Sequence, residues 1–308
     1  MMILAIGCAV LAAGCSAIGV RLQYTAVRAE TQDTTLRLGG LPKLLRNPLW
    51  RTGFAVLAAC AVLQILALSM APVSVVSPIV VLALPIVAVL HARSRGTRLG
   101  GMASTAVVGS TAGVAVFVVL AASSADTHAI AGADVVRAGQ LVIGAVVLLG
   151  IVGAVSNGVV RCVALAVGAG AAYGLVSVLV RDVAYAVQTK GFGALPVFSA
   201  VGVVVAFLAG SWFVQLAYSS GPPDVVVACQ TVLNPLVATG LGVSMLGEIA
   251  GASDATVTAL ITTGLIAVVG VVLLARYHPE AVHRSTATTR AGLRRRAGRG
   301  LRTGKADA

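Results

Sequence analysis

Runs of about 20 apolar residues recur along almost the whole chain, and they constrain its fold more than any other feature. As a helix, each run is long enough to cross the ~30 Å hydrocarbon core of a bilayer. The chain has 308 residues, of which 58% are hydrophobic and only 10% are charged. Soluble proteins carry about 25% charged residues. We therefore expect an all-α polytopic membrane protein, because unbroken runs of this length are not typical of membrane-spanning strands.

Nine membrane-spanning helices are predicted from these runs. Their approximate limits are 2–22, 49–70, 72–92, 101–122, 138–156, 160–181, 195–219, 222–246 and 256–275.

The basic residues indicate how the spans are oriented. Of the 22 Lys and Arg residues, six lie in 21–51, three in 91–100 and nine beyond Leu274, and Arg161 falls on the same side. The other side holds only Arg137, Arg181 and Lys190. Short cytoplasmic loops are the basic ones. We therefore expect a cell-membrane protein with its N-terminus outside and its C-terminus in the cytoplasm, and no binding of nucleic acid.

The two halves of the chain share an internal repeat. At an offset of 150 residues, Pro72 falls on Pro222 and Pro85 on Pro235. At an offset of 160, the first predicted helix matches the sixth, including the pairs Gly14/Gly174, Arg21/Arg181 and Val27/Val187. One helix lies between the two four-helix units, so the second unit enters the membrane from the opposite face. Inverted repeats of this kind are typical of secondary transporters.

This repeat predicts four segments. The first repeat occupies 1–122, a connector with the fifth helix 123–158, the second repeat 159–276, and a disordered, basic cytoplasmic tail 277–308. The tail arginines are candidates for binding anionic lipid headgroups, and the alternative is a solvated tail that only helps to fix topology. These arginines are Arg294, Arg295, Arg296, Arg299 and Arg302.

Two prolines are predicted to interrupt helices at corresponding places in the two repeats. Pro85 lies in the third predicted helix and Pro235 in the eighth, and each removes a backbone hydrogen bond. Paired interruptions point to a transport site near the repeat interface. Asn234 directly precedes Pro235 and could serve the loosened backbone or a ligand. A packing kink without ligand contact is the alternative.

Few other polar side chains lie inside the predicted helices. Gln64, Gln215, Tyr173 and Gln230 are candidates for lining a substrate cavity, and the alternative is hydrogen bonding between helices. Glycines spaced four residues apart, at 109 and 113 and at 170 and 174, predict close helix packing.

No acidic, lysine or histidine side chain is expected at mid-depth in any span. Asp224 and Glu248 are placed at helix ends near water, and the histidines in loops or the tail. Magnesium needs several hard oxygen ligands, and a proton relay usually needs a buried acid or histidine. A cavity with amide and hydroxyl groups suits an amphiphilic or weakly charged solute better than bare Mg²⁺. We expect no enzyme, catalytic residue, cofactor or resident metal.

The sequence resembles the drug/metabolite transporter superfamily of the EamA-like type. The matching stretches are LRNPLW (45–50), ALSMAPVSVVSPIVVLALPIVAVL (67–90) and LAYSSGPPDVVVACQTVLNPLVATGLGVSMLGE (216–248). With nine spans, the layout is closest to the NIPA-type magnesium transporters. The resemblance implies inverted repeats with alternating access around a central cavity. It also implies a gate role for Gly247 and Glu248, while the first half departs from that ending.

The leading expectation is a secondary transporter of a small organic or amphiphilic solute. The alternatives are a NIPA-like Mg²⁺ transporter, a flippase or accessory protein for lipid-linked substrates of envelope assembly, and a structural membrane protein. The expected partners are the lipid bilayer and a small-molecule substrate, with a homodimer as an alternative to the monomer.

The orientation can be tested with a reporter fused after Ala308. Because nine spans and an external N-terminus place the tail in the cytoplasm, we expect a cytoplasmic reporter signal. A periplasmic or extracellular signal would contradict the nine-helix count.

Overall fold

The chain forms a bundle of long helices in the computed structural model. The structure describes residues 2–31, 40–70, 79, 81–94, 96, 100–124, 132–191, 193, 195–246 and 253–277. The helices are α1 (Met2–Thr31), α2 (Leu41–Arg46), α3 (Pro48–Met70), α4 (Ala83–Ser94), α5 (Gly101–Ser124), α6 (Gly132–Val155), α7 (Gly158–Lys190), α8 (Val197–Ser220), α9 (Pro223–Leu246) and α10 (Asp254–Tyr277).

Eight of these helices are long and apolar enough to cross a membrane, which confirms the all-α polytopic membrane fold. The third predicted span, 72–92, is represented by the shorter apolar helix α4, since residues 71–78 and 80 lie outside the described part. Pro85 is therefore in the first turn of the described helix. Proline is tolerated there because the first N–H groups of a helix have no partner within it.

Helices α1 and α7 are longer than the sequence predicted. Their expected ends were residues 22 and 181, but they continue to Thr31 and Lys190. The prediction failed because the polar residues beyond each apolar run were assigned to loops. In α1 these residues stay helical because Tyr24, Val27 and Thr31 are buried against the bundle. The ends of α1 and α7 agree within one residue at the offset of 160, so the repeat includes both extensions.

Helices α1 and α7, which begin the two predicted repeats, run in opposite directions in the structure. Side chains near the end of α1 and the start of α7 both reach the end of α8: Arg28 Nη1 lies 3.3 Å from the Ser219 carbonyl, and Arg161 Nε 3.1 Å from Ser220 Oγ. We call this end of the bundle, where α1 and α8 end and α3, α7 and α9 begin, the basic end. Helix α1 packs most extensively on α3, and its counterpart α7 on α8.

Glycines let the helices of the second repeat approach closely. A Cβ atom added to Gly170 would lie 2.7 Å from Leu233 Cβ, and one added to Gly174 would lie 2.7 Å from Val237 Cβ. Both positions face α9, so this GxxxG pair is a packing site, as predicted. At the end of α7, Gly191 adopts a φ of 78°, which suits glycine and stops the helix.

Helices α5 and α10 are antiparallel and join the two repeats. A Cβ atom on Gly113 would lie 2.9 Å from the Ala267 backbone nitrogen, and one on Gly270 would lie 2.8 Å from the Ser110 nitrogen. A Cβ atom added to Gly109 would have nothing within 4 Å, so only the second glycine of that predicted pair is a close contact.

This difference generates a paired test of helix packing. Gly113→Ala should destabilise the fold, because its methyl group would meet backbone atoms that cannot rotate away. Gly109→Ala should be neutral or stabilising by up to about 1 kcal/mol, because alanine is the better helix former. Thermal unfolding in detergent would measure both variants. Equal stability of the two would contradict the packing described for α5 and α10.

Candidate substrate cavity

A large cavity lies among α3, α7, α8 and α9 and has a volume of about 1340 Å³. It extends from Leu41 and Leu45 of α2, at the basic end, to Arg181 and Thr239 near the opposite end. Most of its lining is apolar, and polar side chains occur at intervals along α7, α8 and α9. Its size exceeds the roughly 300–1,000 Å³ typical of small-molecule pockets.

Six of the seven predicted cavity residues line this space. They are Gln64, Tyr173, Gln215, Gln230, Asn234 and Pro235. The seventh, Pro85, lies instead at a separate, shallow pocket with Ile86 and Arg93. Of the two prolines that were predicted to mark a transport site, only Pro235 therefore lines the cavity.

The predicted gate and headgroup residues lie outside the described part of the chain. They are Gly247, Glu248, Arg294, Arg295, Arg296, Arg299 and Arg302.

Two hydrogen-bonded pairs form the polar wall between α7, α8 and α9. The hydroxyl groups of Tyr173 and Ser211 are 3.1 Å apart, and Ser177 donates to Asn234 Oδ1 at 3.1 Å. Tyr173 and Ser177 are four residues apart and therefore share one face of α7. Both pairs can still form hydrogen bonds with a ligand, because asparagine amides and hydroxyl groups can each make more than one hydrogen bond.

Pro235 lies inside α9, which continues as a helix on both sides of it. Without an N–H group at this position, the carbonyl of Thr231 loses its usual helical donor. Thr231 also lines the cavity. A carbonyl without its helical partner is tolerated at membrane depth where a cavity can satisfy it, so this site fits the expected role of an interrupted helix.

A second polar network lies in the part of the cavity nearest the basic end. Gln215 Nε2 donates to Gln23 Oε1 at 2.9 Å, and Trp50 Nε1 donates to Gln215 Oε1 at 3.2 Å. Gln23 and Gln215 are buried, at 4% and 6% exposure. These bonds connect α1, α3 and α8 through one glutamine.

Beyond this network, the basic end holds a buried group of charged and aromatic side chains. The Arg28 guanidinium lies 5.5 Å from the centre of the Tyr24 ring, and Tyr24 meets the rings of His91 and Tyr218 edge-on. Asp224 is fully buried in the first turn of α9. The predictions that Asp224 is near water and His91 in a loop were therefore wrong. Both are enclosed because α4 and α9 pack against each other and against α1.

Burial changes sharply along α9. Every residue from Gly221 to Cys229 is buried, whereas most residues from Gln230 to Thr239 are partly exposed, and six of these ten line the cavity. In α8 the buried residues also concentrate in the half that reaches the basic end. Within the described residues, α8 and α9 are therefore buried more completely toward the basic end than toward the other end.

The cavity also reaches the outer surface of the bundle between α3 and α8. Phe54, Phe207 and Leu208 line it while remaining 53%, 48% and 60% exposed. Among the described helices, α3 packs closely only on α1 and α2. Because these residues lie well inside apolar spans, their exposed surface faces hydrocarbon.

Sequence reasoning missed several lining residues. Gln23 and Arg181 were assigned to loops because the ends of α1 and α7 were placed too early. Ser177 and the tryptophans Trp50 and Trp212 were not singled out. The repeat carried a usable signal: the match of Val27 with Val187 lies beyond both predicted helix ends.

The chemistry of this lining is hydrogen bonding and apolar contact. Within the described part of the chain, no group of three His, Cys, Asp or Glu side chains could hold a metal ion. Comparisons with family models, curated proteins and solved structures gave no match.

The glutamine network can be tested by mutation. Gln215→Leu should lower the free energy of unfolding by about 1 kcal/mol, because it leaves the buried Gln23 amide and the Trp50 N–H without their partner. The matched control is Gln64→Leu, since Gln64 is partly exposed at the same cavity and has no hydrogen-bond partner among the described residues. Chemical or thermal unfolding would compare them, and a larger loss in the control would contradict the network's role.

Proposed function

We propose that this membrane protein is a secondary transporter that moves a small organic or amphiphilic solute by alternating access. The observation that carries the proposal is the cavity of about 1340 Å³ among the long helices, where α8 and α9 are buried more completely toward one end than toward the other. A structural membrane protein has no need for such a space. The polar pairs on α7, α8 and α9 supply orientation, and the apolar walls supply affinity.

Membership of the drug/metabolite transporter superfamily, of the EamA-like type, is part of this proposal. This membership is supported by the internal repeat of the sequence and by Pro235, which interrupts the hydrogen bonds of α9 at the cavity. By the distribution of basic residues, the basic end faces the cytoplasm and the tail lies in the cytoplasm. The fully buried start of α9 then lies on the cytoplasmic side.

Alternating access requires the helices at the basic end to move relative to one another. The bonds from Trp50 and Gln23 to Gln215 link α3 and α1 to α8 near that end. Pro235 lies in the cavity-lining part of α9, beyond its buried start, where a missing helical hydrogen bond lowers resistance to bending. We assign these two features to the cytoplasmic gate and its hinge.

A flippase for lipid-linked substrates is the second candidate, and a specific observation favours it. The exposed cavity residues Phe54, Phe207 and Leu208 mark a lateral opening between α3 and α8. Such an opening would admit a lipid chain directly from the bilayer. A NIPA-like Mg²⁺ transporter has weaker support, because the lining contains no Asp or Glu among the residues that the structure describes.

A direct test is ligand-dependent thermal stabilisation of the purified protein against metabolites, lipid-linked sugars, single-chain amphiphiles and Mg²⁺. A true ligand at 100 times its Kd should stabilise the fold by about 2.7 kcal/mol. Ala61→Trp should abolish this stabilisation and the matching flux into liposomes, because the indole ring fills the cavity.

Val62→Trp is the matched control for this experiment. Val62 is 56% exposed and does not line the cavity, although it neighbours Ala61. Val62→Trp should keep both the stabilisation by ligand and the flux into liposomes. If Ala61→Trp transports the solute as well as the wild type does, the cavity is not the transport site, and stabilisation by Mg²⁺ alone would favour the magnesium alternative.

A further inference from the structure

The charge of the cavity lining is concentrated at one position. Arg181 is the only charged side chain among the described residues that line the cavity. It lies near the end of the cavity opposite the basic end. Asp182, the neighbouring acid, is not part of the lining, and its carboxylate accepts a hydrogen bond from Ser199 Oγ at 2.6 Å.

Arg181 continues the polar face of α7. Tyr173, Ser177 and Arg181 are spaced by four residues, so they follow one another along the same side of the helix over about 12 Å. All three line the cavity, and the first two already bind Ser211 and Asn234. The cavity therefore has a stripe of hydrogen-bonding groups with a guanidinium at one end.

A second part of the lining, on α3 and on the neighbouring stretch of α8, is apolar. Helix α3 contributes Phe54, Leu57, Ala58 and Ala61, and α8 contributes Phe207 and Leu208. This wall reaches the hydrocarbon between α3 and α8, as described above. A ligand that contacts both the polar stripe and the apolar lining has one polar, negatively charged end and an apolar body.

We propose that the cavity binds a single-chain anionic amphiphile, with its carboxylate or phosphate headgroup at Arg181 and its chain along the α3 and α8 wall. This inference deepens the proposed function and rests on it. The planar fork of an arginine matches both carboxylate and phosphate. The described lining residues include no acidic group. The same charge therefore disfavours cationic amphiphiles, and its effect is stronger than in water because the surroundings are apolar.

The repeat supplies a matched control for this site. Arg21 is the counterpart of Arg181 at the offset of 160, yet it is exposed and is not among the lining residues. Removal of either arginine changes the net charge of the protein equally. Only removal of Arg181 changes the charge inside the cavity.

The two tryptophans of the chain, Trp50 and Trp212, both line the cavity and report its occupancy. Bromine quenches tryptophan fluorescence at short range. The probes are ω-bromoundecanoate, ω-bromoundecyl phosphate and ω-bromoundecyltrimethylammonium, added to protein in nanodiscs of zwitterionic lipid. Quenching is compared at equal membrane-bound probe concentration, and competition with the unbrominated analogue separates saturable binding from contact with bulk lipid.

We expect both anionic probes to quench saturably and to bind roughly tenfold or more tightly than the cationic probe. Arg181→Gln should remove this preference, Arg181→Lys should keep most of it, and Arg21→Gln should leave it unchanged. If only one anionic probe binds, its headgroup identifies the source as carboxylate or phosphate. If Arg181→Gln fails to fold, the comparison of Arg181→Lys with Arg21→Gln and the charge preference of the wild type decide the question.

The outcomes separate this inference from the proposed function. Equal saturable binding of anionic and cationic probes, unaffected by Arg181→Gln, would overturn the anionic preference and leave an amphiphile transporter standing. Tighter binding of the cationic probe would overturn it as well. An absence of saturable quenching by every probe would exclude amphiphiles from the cavity, while the stabilisation assay with water-soluble metabolites would still test transport independently.

Discussion

Helices in hydrocarbon gain little from contact between their apolar side chains, because lipid tails are equally apolar, so close approach of their backbones must supply the attraction. In this bundle glycines provide that approach. Gly170 and Gly174 hold α7 against α9, and Gly113 and Gly270 hold α5 against α10. The cavity lies where such contact is missing. Within the described residues, no glycine brings α3 against α8, and the two helices are joined instead by the Trp50–Gln215 hydrogen bond. The close helix contacts and the cavity therefore have the same origin, the distribution of side-chain volume along the helices.

The number and order of the helices could be predicted because apolar length is a direct requirement of the bilayer. The helix ends could not be predicted in the same way. Beyond residue 22, α1 carries Gln23, Arg28 and Glu30, which on hydropathy alone belong to a loop. They remain in a helix because its other face is buried against neighbouring helices, which is a tertiary effect. At 30 and 33 residues, α1 and α7 span about 45 and 50 Å, well beyond the hydrocarbon.

The candidate site was predicted in part, for a related reason. Polar side chains inside apolar runs are costly, so Gln215, Asn234 and Tyr173 were visible against their surroundings. The partners that give them geometry were not visible, because serines are common in such helices and because Gln23 and Arg181 were assigned to loops. Inverted duplication also does not guarantee equal environments. Gly174 packs against α9 while its counterpart Gly14 has open space around it, so a shared residue predicts a shared place in the fold but not a shared contact.

The fully buried first third of α9 has a consequence for the energetics of turnover. From Gly221 to Cys229 every residue is enclosed, and most of them are apolar. A conformational change that opened this end to a water-filled vestibule would hydrate that surface, and hydration of apolar surface raises the heat capacity. The free-energy difference between the two conformations would then vary with temperature along a curve rather than a straight line. Its midpoint would be set as much by the solvation of this segment as by the solute carried.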